Sequence, residues 1–193
     1  MTKTIASTLH LRVTAISFIL IGMIFFAVNW ALSPEMNPLK NFTSDYVHTA
    51  KGALTIAGFL ICGTGIVIAS GFIILKSGWF EFGLGLYGAL FLILGFFPAD
   101  KEGFSTIIGI LHQVIAFSCF LLFPAIITTQ SVLLKRLPPI DIVILIPATL
   151  AGFILMGLNP GHIAGLYQRI FIFSQPLLVI IRLCRGRLLG TGL

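Results

Sequence analysis

The chain is divided into six apolar runs by connections rich in proline, glycine and charged residues. The runs cover about residues 13–32, 52–75, 82–97, 106–129, 140–158 and 162–183. A helix of about 20 apolar residues is long enough to cross the hydrocarbon core of a bilayer. Hydrophobic residues make up 58% of the chain and charged residues 9%, which one soluble core of this size cannot hide from water. The sequence therefore predicts an all-α polytopic membrane protein, one domain over residues 1–193 with six transmembrane helices.

The first apolar run admits two interpretations, a spanning helix or a secretory signal peptide. A signal peptide has an apolar region of about 7–15 residues and a small-x-small cleavage site. The run at residues 13–32 is longer, and Ala27-Val28-Asn29 fits the cleavage pattern poorly. We therefore expect an uncleaved helix.

Lysine and arginine are unevenly distributed between the two sets of helix ends. One set holds Lys3, Arg12, Lys76, Lys135, Arg136, Arg182, Arg185 and Arg187, and the other holds only Lys40, Lys51 and Lys101. The positive-inside rule then places both termini in the cytoplasm, which agrees with an even number of spans. The net charge of +6 reflects these helix ends, so we expect no nucleic-acid partner.

Small residues form a stripe along the second span, which includes Gly58, Cys62 and Gly65. Such faces let membrane helices approach closely, either within one bundle or between protomers. A membrane-protein partner or a homo-oligomer therefore stays open. The cysteines and histidines lack metal-type spacing, and we expect neither a metal nor a cofactor.

Most polar residues inside or beside the spans fall at the predicted outer end of the bundle. The candidate ligand-binding residues are Arg169, Asp100, His112, Gln168, Asp45, His48 and His162. Two local predictions concern helix starts at this end. Ser44 could cap a helix that begins at Asp45 and places Asp45 and His48 on one face with the second span. Ser105 or Thr106 is expected to cap the fourth span.

Arg169 is the strongest single signal, because a charge deep in a membrane costs about 2.5–3.5 kcal/mol or more unless it finds partners. Three interpretations are open. Arg169 could anchor an anionic or polar head group, could form a buried ion pair with a carboxylate such as Asp100, or could extend its long side chain to the outer interface.

His112 and Asp100 admit both a structural and a catalytic interpretation, and a third interpretation of His112 is a metal or haem ligand, although haem would need a second histidine at a similar depth and His162 is too shallow. A buried neutral imidazole bonded to a neighbouring element is the structural one. An acid–base pair is the catalytic one. The chain contains no nucleophile elbow, metalloprotease motif or phosphate loop, so no recognised catalytic motif supports an enzyme.

Three short motifs occur in order along the chain: Phe97-Pro98-Ala99-Asp100, His112 in the next span, and Gly165-Leu166-Tyr167-Gln168-Arg169. Together with the span count they resemble the bacterial six-span membrane-protein family catalogued as domain of unknown function 998. The resemblance implies a multi-pass protein of the bacterial cytoplasmic (inner) membrane. It also implies that Asp100, His112 and Arg169 are signature positions. It implies no activity, because the family has none assigned.

The leading functional hypothesis is an integral membrane protein with a polar, outward-facing pocket that binds a lipid head group, a small amphipath or a membrane partner. The alternative is a membrane-embedded enzyme that acts on a lipid or isoprenoid at the outer leaflet, with His112 and Asp100 as acid and base. A third hypothesis is a small transporter. It requires a polar path that continues into the inner half of the bundle.

Overall fold

The computed structural model describes residues 2–74, 79–101, 106–134, 143–144, 147–152, 154 and 161–184. This part of the chain is helical and contains no strand. The α-helices are α1 (Thr2–Leu32), α2 (Gly52–Ile74), α3 (Trp79–Ile93), α4 (Ile107–Leu134) and α5 (Ala164–Cys184). Two 3₁₀ helices, Thr43–His48 and Gly161–Ile163, precede α2 and α5 respectively.

Four of the described helices are long and apolar enough to cross a membrane. Their membrane-length parts are Leu9–Leu32, Gly52–Gly71, Ile107–Thr129 and Ala164–Cys184, and Glu81–Ile93 is a shorter apolar helix. Large apolar side chains are also exposed, for example Ile24 on α1 and Val114 on α4, as suits helix faces in lipid. The protein is therefore an integral membrane protein, as predicted. The predicted fifth span lies mostly outside the described residues, and those described within it are helical.

Several helix boundaries differ from the sequence prediction, among them the start of α1 and the end of α3. Helix α1 begins at Thr2, well before the apolar run, because polar residues can continue a helix beyond the hydrocarbon. Helix α3 ends at Ile93 instead of residue 97. The apolar residues that follow form a tight turn, in which Gly95 N–H donates to Leu92 O (3.0 Å) and Phe96 N–H donates to Ile93 O (2.9 Å).

Helix α2 packs closely against α1 through its small-residue stripe. A Cβ atom at Gly65 would lie 2.8 Å from the backbone nitrogen of Ile19 and 2.9 Å from the carbonyl oxygen of Ala15. Only glycine therefore allows the two backbones to approach so closely. This part of the stripe therefore packs within one chain, which is the first of the two alternatives left open by the sequence.

A buried polar network joins α1 to α2 at the end where the chain leaves α1. Asn29 Nδ2 donates to Thr55 Oγ1 (2.7 Å), and Ser33 Oγ donates to Asn29 Oδ1 (2.9 Å). All three residues are buried. The network fixes both ends of the connection between α1 and α2, residues 33–51, which we call the α1–α2 segment.

Candidate functional site

The α1–α2 segment folds as a separate 3₁₀ helix and does not extend α2. The 3₁₀ helix runs Thr43–His48, and α2 begins at Gly52 after a break. Asp45 Oδ2 accepts from Phe42 N–H (2.7 Å), so the carboxylate closes the start of this turn. The prediction of a Ser44-capped helix that runs from Asp45 into the second span is therefore wrong. The reason is that Asp45 completes a local turn with the residues just before it.

The α1–α2 segment is hydrogen-bonded to the first turns of α5. Leu166 N–H donates to Leu39 O (3.1 Å). Thr43 N–H donates to the side-chain oxygen Oε1 of Gln168, and both residues are buried. These bonds use backbone groups that would otherwise be unsatisfied at a helix N-terminus and in a loop. Gln168, a predicted site residue, therefore positions the segment.

Arg169 lies beneath the same segment and binds its backbone. Its Nη1 donates to Pro38 O and to Asn41 O, the second at 2.9 Å. The guanidinium carbon lies 4.6 Å from the centre of the Trp30 ring and 5.2 Å from the centre of the Tyr46 ring. Cation–π contacts of this kind partly replace lost hydration. Arg169 itself is only 9% exposed.

Gly165 makes this approach possible. A Cβ atom at Gly165 would lie 2.2 Å from Asn41 O and 2.8 Å from Arg169 Nη1. A side chain there would therefore collide with both partners of one hydrogen bond. The hydrogen bond from Arg169 Nη1 to Asn41 O therefore requires glycine at position 165.

The guanidinium has a second edge with no hydrogen-bond partner. Arg169 Nε and Nη2 are buried and unpartnered, and so are Tyr46 OH, Thr43 Oγ1 and Trp30 Nε1. The Tyr46 hydroxyl oxygen faces the guanidinium and interacts with it both through its charge and as a hydrogen-bond acceptor, although the geometry of this contact is not that of a full hydrogen bond. Burial raises the pKa of Tyr46, so the hydroxyl keeps its proton and can donate. Trp30 and Tyr46, whose rings contact the guanidinium, therefore offer potential donors close to the cation.

The three sequence interpretations of Arg169 did not include these partners. Its hydrogen bonds go to backbone carbonyls rather than to a carboxylate. The hydrogen bonds described for Asp100 go instead to Thr106, whose backbone nitrogen lies 2.8 Å and whose hydroxyl oxygen lies 2.7 Å from the carboxylate oxygens. Arg169 thus secures the α1–α2 segment through Nη1, and its charge also interacts with the Tyr46 hydroxyl.

Asp100 and Thr106 together form the N-terminal cap of α4. Thr106 Oγ1 accepts from Gly109 N–H (3.0 Å), which confirms the predicted Thr106 cap, whereas the alternative Ser105 lies outside the described residues. A Cβ atom at Gly109 would lie 2.1 Å from Asp100 Oδ2, so this position must be glycine for the carboxylate to reach the helix. Side-chain caps stabilise a helix by about 0.5–2 kcal/mol. This geometry gives Asp100 a structural role.

Two histidines hold the turn that precedes α4. His112 Nδ1 lies 2.6 Å from Phe97 O, and His48 Nε2 lies 2.7 Å from Ala99 O. A carbonyl oxygen can only accept, so each of these ring nitrogens carries the proton. His112 is buried and His48 is exposed. The contact of His112 with Phe97 O agrees with the structural interpretation of His112, a buried imidazole bonded to a neighbouring element.

A narrow crevice lies between the 3₁₀ helix and this turn. Its polar lining comes from Ser44, Thr55 and His112. The crevice has room for roughly one water molecule. Asp45 interacts electrostatically with His112, and burial raises the pKa of the Asp45 carboxyl despite its bond from Phe42 N–H. The crevice is therefore too small for a lipid head group in this conformation.

The structure arranges the predicted site residues in two groups joined by the 3₁₀ helix. Arg169 and Gln168 bind the α1–α2 segment, whereas Asp100, His112 and His48 organise the turn before α4. Asp45 interacts electrostatically with both Arg169 and His112. His162 is exposed in the 3₁₀ helix before α5.

Trp30, Tyr46 and Thr43 are site residues that the sequence analysis did not include. Trp30 had the ordinary explanation of an aromatic residue at a membrane interface. Tyr46 and Thr43 flank Asp45 in a segment whose fold was not predicted. An aromatic residue at the end of a span, opposite a buried arginine, is the one signal that could have indicated a cation–π partner.

The described residues contain no group of three or more histidine, cysteine, aspartate or glutamate side chains that could hold a metal ion. No curated protein and no solved structure matches the chain. Residues 13–184 match the family described as protein of unknown function (DUF998). This match covers most of the chain and includes Asp100, His112 and Arg169. The chain therefore belongs to the DUF998 family.

Proposed function

We propose that this protein is a six-span protein of the bacterial cytoplasmic membrane, with both termini in the cytoplasm, that binds the anionic head group of an amphiphile at Arg169. The observation that supports the proposal is the unpartnered Nε–Nη2 edge of a buried guanidinium. Nη1 is already engaged by Pro38 O and Asn41 O. The Nε–Nη2 edge is therefore the part of Arg169 that a ligand would bind, in competition with the Tyr46 hydroxyl.

The chemistry of this edge favours a ligand with two acceptor oxygens. Two parallel N–H groups of arginine match the spacing of a carboxylate or phosphate and bind it in bidentate fashion. The Tyr46 hydroxyl and the indole N–H of Trp30, whose rings contact the guanidinium, can add further donors. A buried donor left unsatisfied costs about 1–3 kcal/mol, so an anion that satisfies several of them gains substantially.

The position of Arg169 favours an amphiphile over a free anion. Arg169 is five residues into α5, at a depth of about 8 Å along the helix axis. The neighbouring residues Leu166 and Ile170 are exposed apolar side chains, which suit contact with lipid tails. A head group at this depth can therefore bind Arg169 while its tail remains in the bilayer.

Entry of a ligand requires movement of the α1–α2 segment. The unpartnered atoms are inaccessible to solvent, and the segment is hydrogen-bonded directly to Nη1 of the same guanidinium. The hydrogen bonds described between the segment and α5 are one backbone bond from Leu166 N–H, one bond to Gln168, and the two carbonyl bonds of Arg169 Nη1. Displacement of this segment is a local opening, which needs much less free energy than global unfolding.

Binding can be tested by native mass spectrometry of the full-length protein with phosphatidylglycerol or with oleate. The first lipid presents a phosphodiester and the second a carboxylate, so the two arms distinguish the kinds of head group. Arg169→Lys keeps the charge but removes the two-donor edge. We expect it to weaken retention of the preferred lipid about tenfold, the equivalent of one charge-assisted hydrogen bond.

Lys40→Gln is the matched control, because Lys40 is an exposed cation on the same α1–α2 segment. It removes a positive charge near the site without altering the Arg169 edge, and should retain lipid like the unmodified protein. Circular dichroism of each variant checks that the helices are intact. Equal lipid retention by folded Arg169→Lys and Lys40→Gln would rule out the proposed site.

A further inference from the structure

A single peptide group links the Asp45 carboxylate to the Arg169 guanidinium. The N–H of the peptide between Asn41 and Phe42 donates to Asp45 Oδ2 (2.7 Å), and the carbonyl oxygen of the same peptide accepts from Arg169 Nη1 (2.9 Å). The N–H and C=O of a trans peptide point in opposite directions, so the carboxylate and the guanidinium lie at the two ends of this bridge. Standard bond lengths then place Asp45 Oδ2 within about 8 Å of Arg169 Nη1. The two charges are therefore close enough to interact in a partly buried site.

The ionisation of Asp45 is sensitive to the charges around it. Burial raises the pKa of its carboxyl, because it disfavours the charged form. The bond from Phe42 N–H and the nearby basic groups favour the charged form and offset only part of this effect. A further negative charge beside Arg169 would add to the effect of burial. An anion bound there therefore shifts Asp45 toward its protonated form.

The charged and titratable groups that act on Asp45 come from three elements. Arg169 lies on α5, His112 lies on α4, and His48 and Tyr46 belong to the same 3₁₀ helix as Asp45. Helix α2, which packs against the 3₁₀ helix, contains no charged residue, and those of α1 lie in its first half. Asp45 is thus the acidic member of this group. An anion at Arg169 adds a second negative charge to the group.

We infer that Asp45 takes up one proton from solvent when an anionic head group binds Arg169, so that the ligand and the proton bind together. The inference rests on the proposed binding at Arg169. The ligand uses the Nε–Nη2 edge, so the α1–α2 segment stays hydrogen-bonded to Nη1 in the bound state and keeps Asp45 beside the ligand. Two neighbouring anions disfavour each other, and protonation of Asp45 relieves this repulsion. The protonated carboxyl still accepts from Phe42 N–H through its carbonyl oxygen.

Proton uptake makes the affinity for the ligand dependent on pH. Binding of the ligand and of the proton favour each other reciprocally, so the affinity rises as pH falls. One coupled proton changes the affinity by up to about tenfold per pH unit. The probe is a fluorescently labelled short-chain phosphatidylglycerol, because its phosphodiester stays ionised where a fatty acid itself titrates. Its binding to the full-length protein in detergent can be followed by fluorescence anisotropy between about pH 5 and pH 8, the range in which we expect this slope.

Asp45→Asn removes the charge and keeps an oxygen that can accept from Phe42 N–H. It should bind the probe tightly throughout this range, with no dependence on pH. Calorimetry of the unmodified protein in buffers of different ionisation enthalpy gives a second measurement that needs no variant. We expect it to show uptake of up to about one proton for each lipid bound.

Glu35→Gln is the matched control, because Glu35 is an exposed carboxylate on the same α1–α2 segment. It should keep the pH dependence of the unmodified protein. Equal slopes in Asp45→Asn and Glu35→Gln would assign the proton to another group, such as His48 or His112, and overturn the inference. Binding through Arg169 without proton uptake also overturns it, while the proposed binding stands. Equal affinity of the unmodified protein and Arg169→Lys overturns the proposed binding itself.

Discussion

Gly165→Ala tests the contact between the α1–α2 segment and α5. The added Cβ atom would lie 2.2 Å from Asn41 O and 2.8 Å from Arg169 Nη1, so the carbonyl must move away. Movement breaks the 2.9 Å bond between these two groups, and a hydrogen bond to a charged group contributes about 1.5–3 kcal/mol. The higher helix propensity of alanine offsets about 0.5–1 kcal/mol. We therefore expect a net destabilisation of about 1.5 kcal/mol, a roughly tenfold change in the folding equilibrium.

Gly71→Ala is the matched control, because a Cβ atom at Gly71 meets nothing within 4 Å. It gains the same helix propensity without a collision and should be neutral or more stable by about 0.5–1 kcal/mol. Both variants can be unfolded by dodecyl sulfate in mixed micelles and followed by circular dichroism. If Gly165→Ala is as stable as Gly71→Ala, the segment does not depend on this close approach, and the described packing around Arg169 is refuted.

Further predictions concern the two carboxylates at this end of the bundle. Asp100→Ala removes both bonds to Thr106 and should destabilise the protein by about 1 kcal/mol in the same unfolding assay, whereas an unchanged midpoint would contradict a capping role. Burial raises the pKa of Asp45 above its usual 3.8, so the folded state binds the proton more tightly than the unfolded state. Stability from this group is therefore fully present below pH of about 4 and is lost as pH rises through the raised pKa. Asp45→Asn should flatten the dependence of the unfolding midpoint on pH in this range, and an unaltered slope would show that another group is responsible.

The four membrane-length helices among the described residues could be predicted because apolarity is a local property of the sequence. The second span was expected at residues 52–75, and α2 runs Gly52–Ile74. The end of α3 was misplaced because Leu94 and Phe97 are apolar but belong to a turn. Apolarity indicates the environment of a residue, not its backbone conformation.

The site was harder to predict than the spans. The burial of Arg169 follows from the cost of a charge in a membrane, and the Thr106 cap follows from a local signal. The partners of Arg169 are the backbone carbonyls of Pro38 and Asn41, which lie 131 and 128 residues earlier in the chain. A backbone carbonyl is present at every position, so nothing in the sequence marks which ones a distant arginine will bind.

The most direct test of the proposed function is a solid-state NMR distance between the guanidinium nitrogens of Arg169 and lipid phosphorus in bilayers that contain phosphatidylglycerol. Bidentate binding predicts a nitrogen–phosphorus distance of about 4 Å, given hydrogen bonds of about 2.7–2.9 Å. The corresponding dephasing should disappear in Arg169→Lys and persist in Lys40→Gln. Identical dephasing in the unmodified protein and in Arg169→Lys would contradict binding of the head group at this edge.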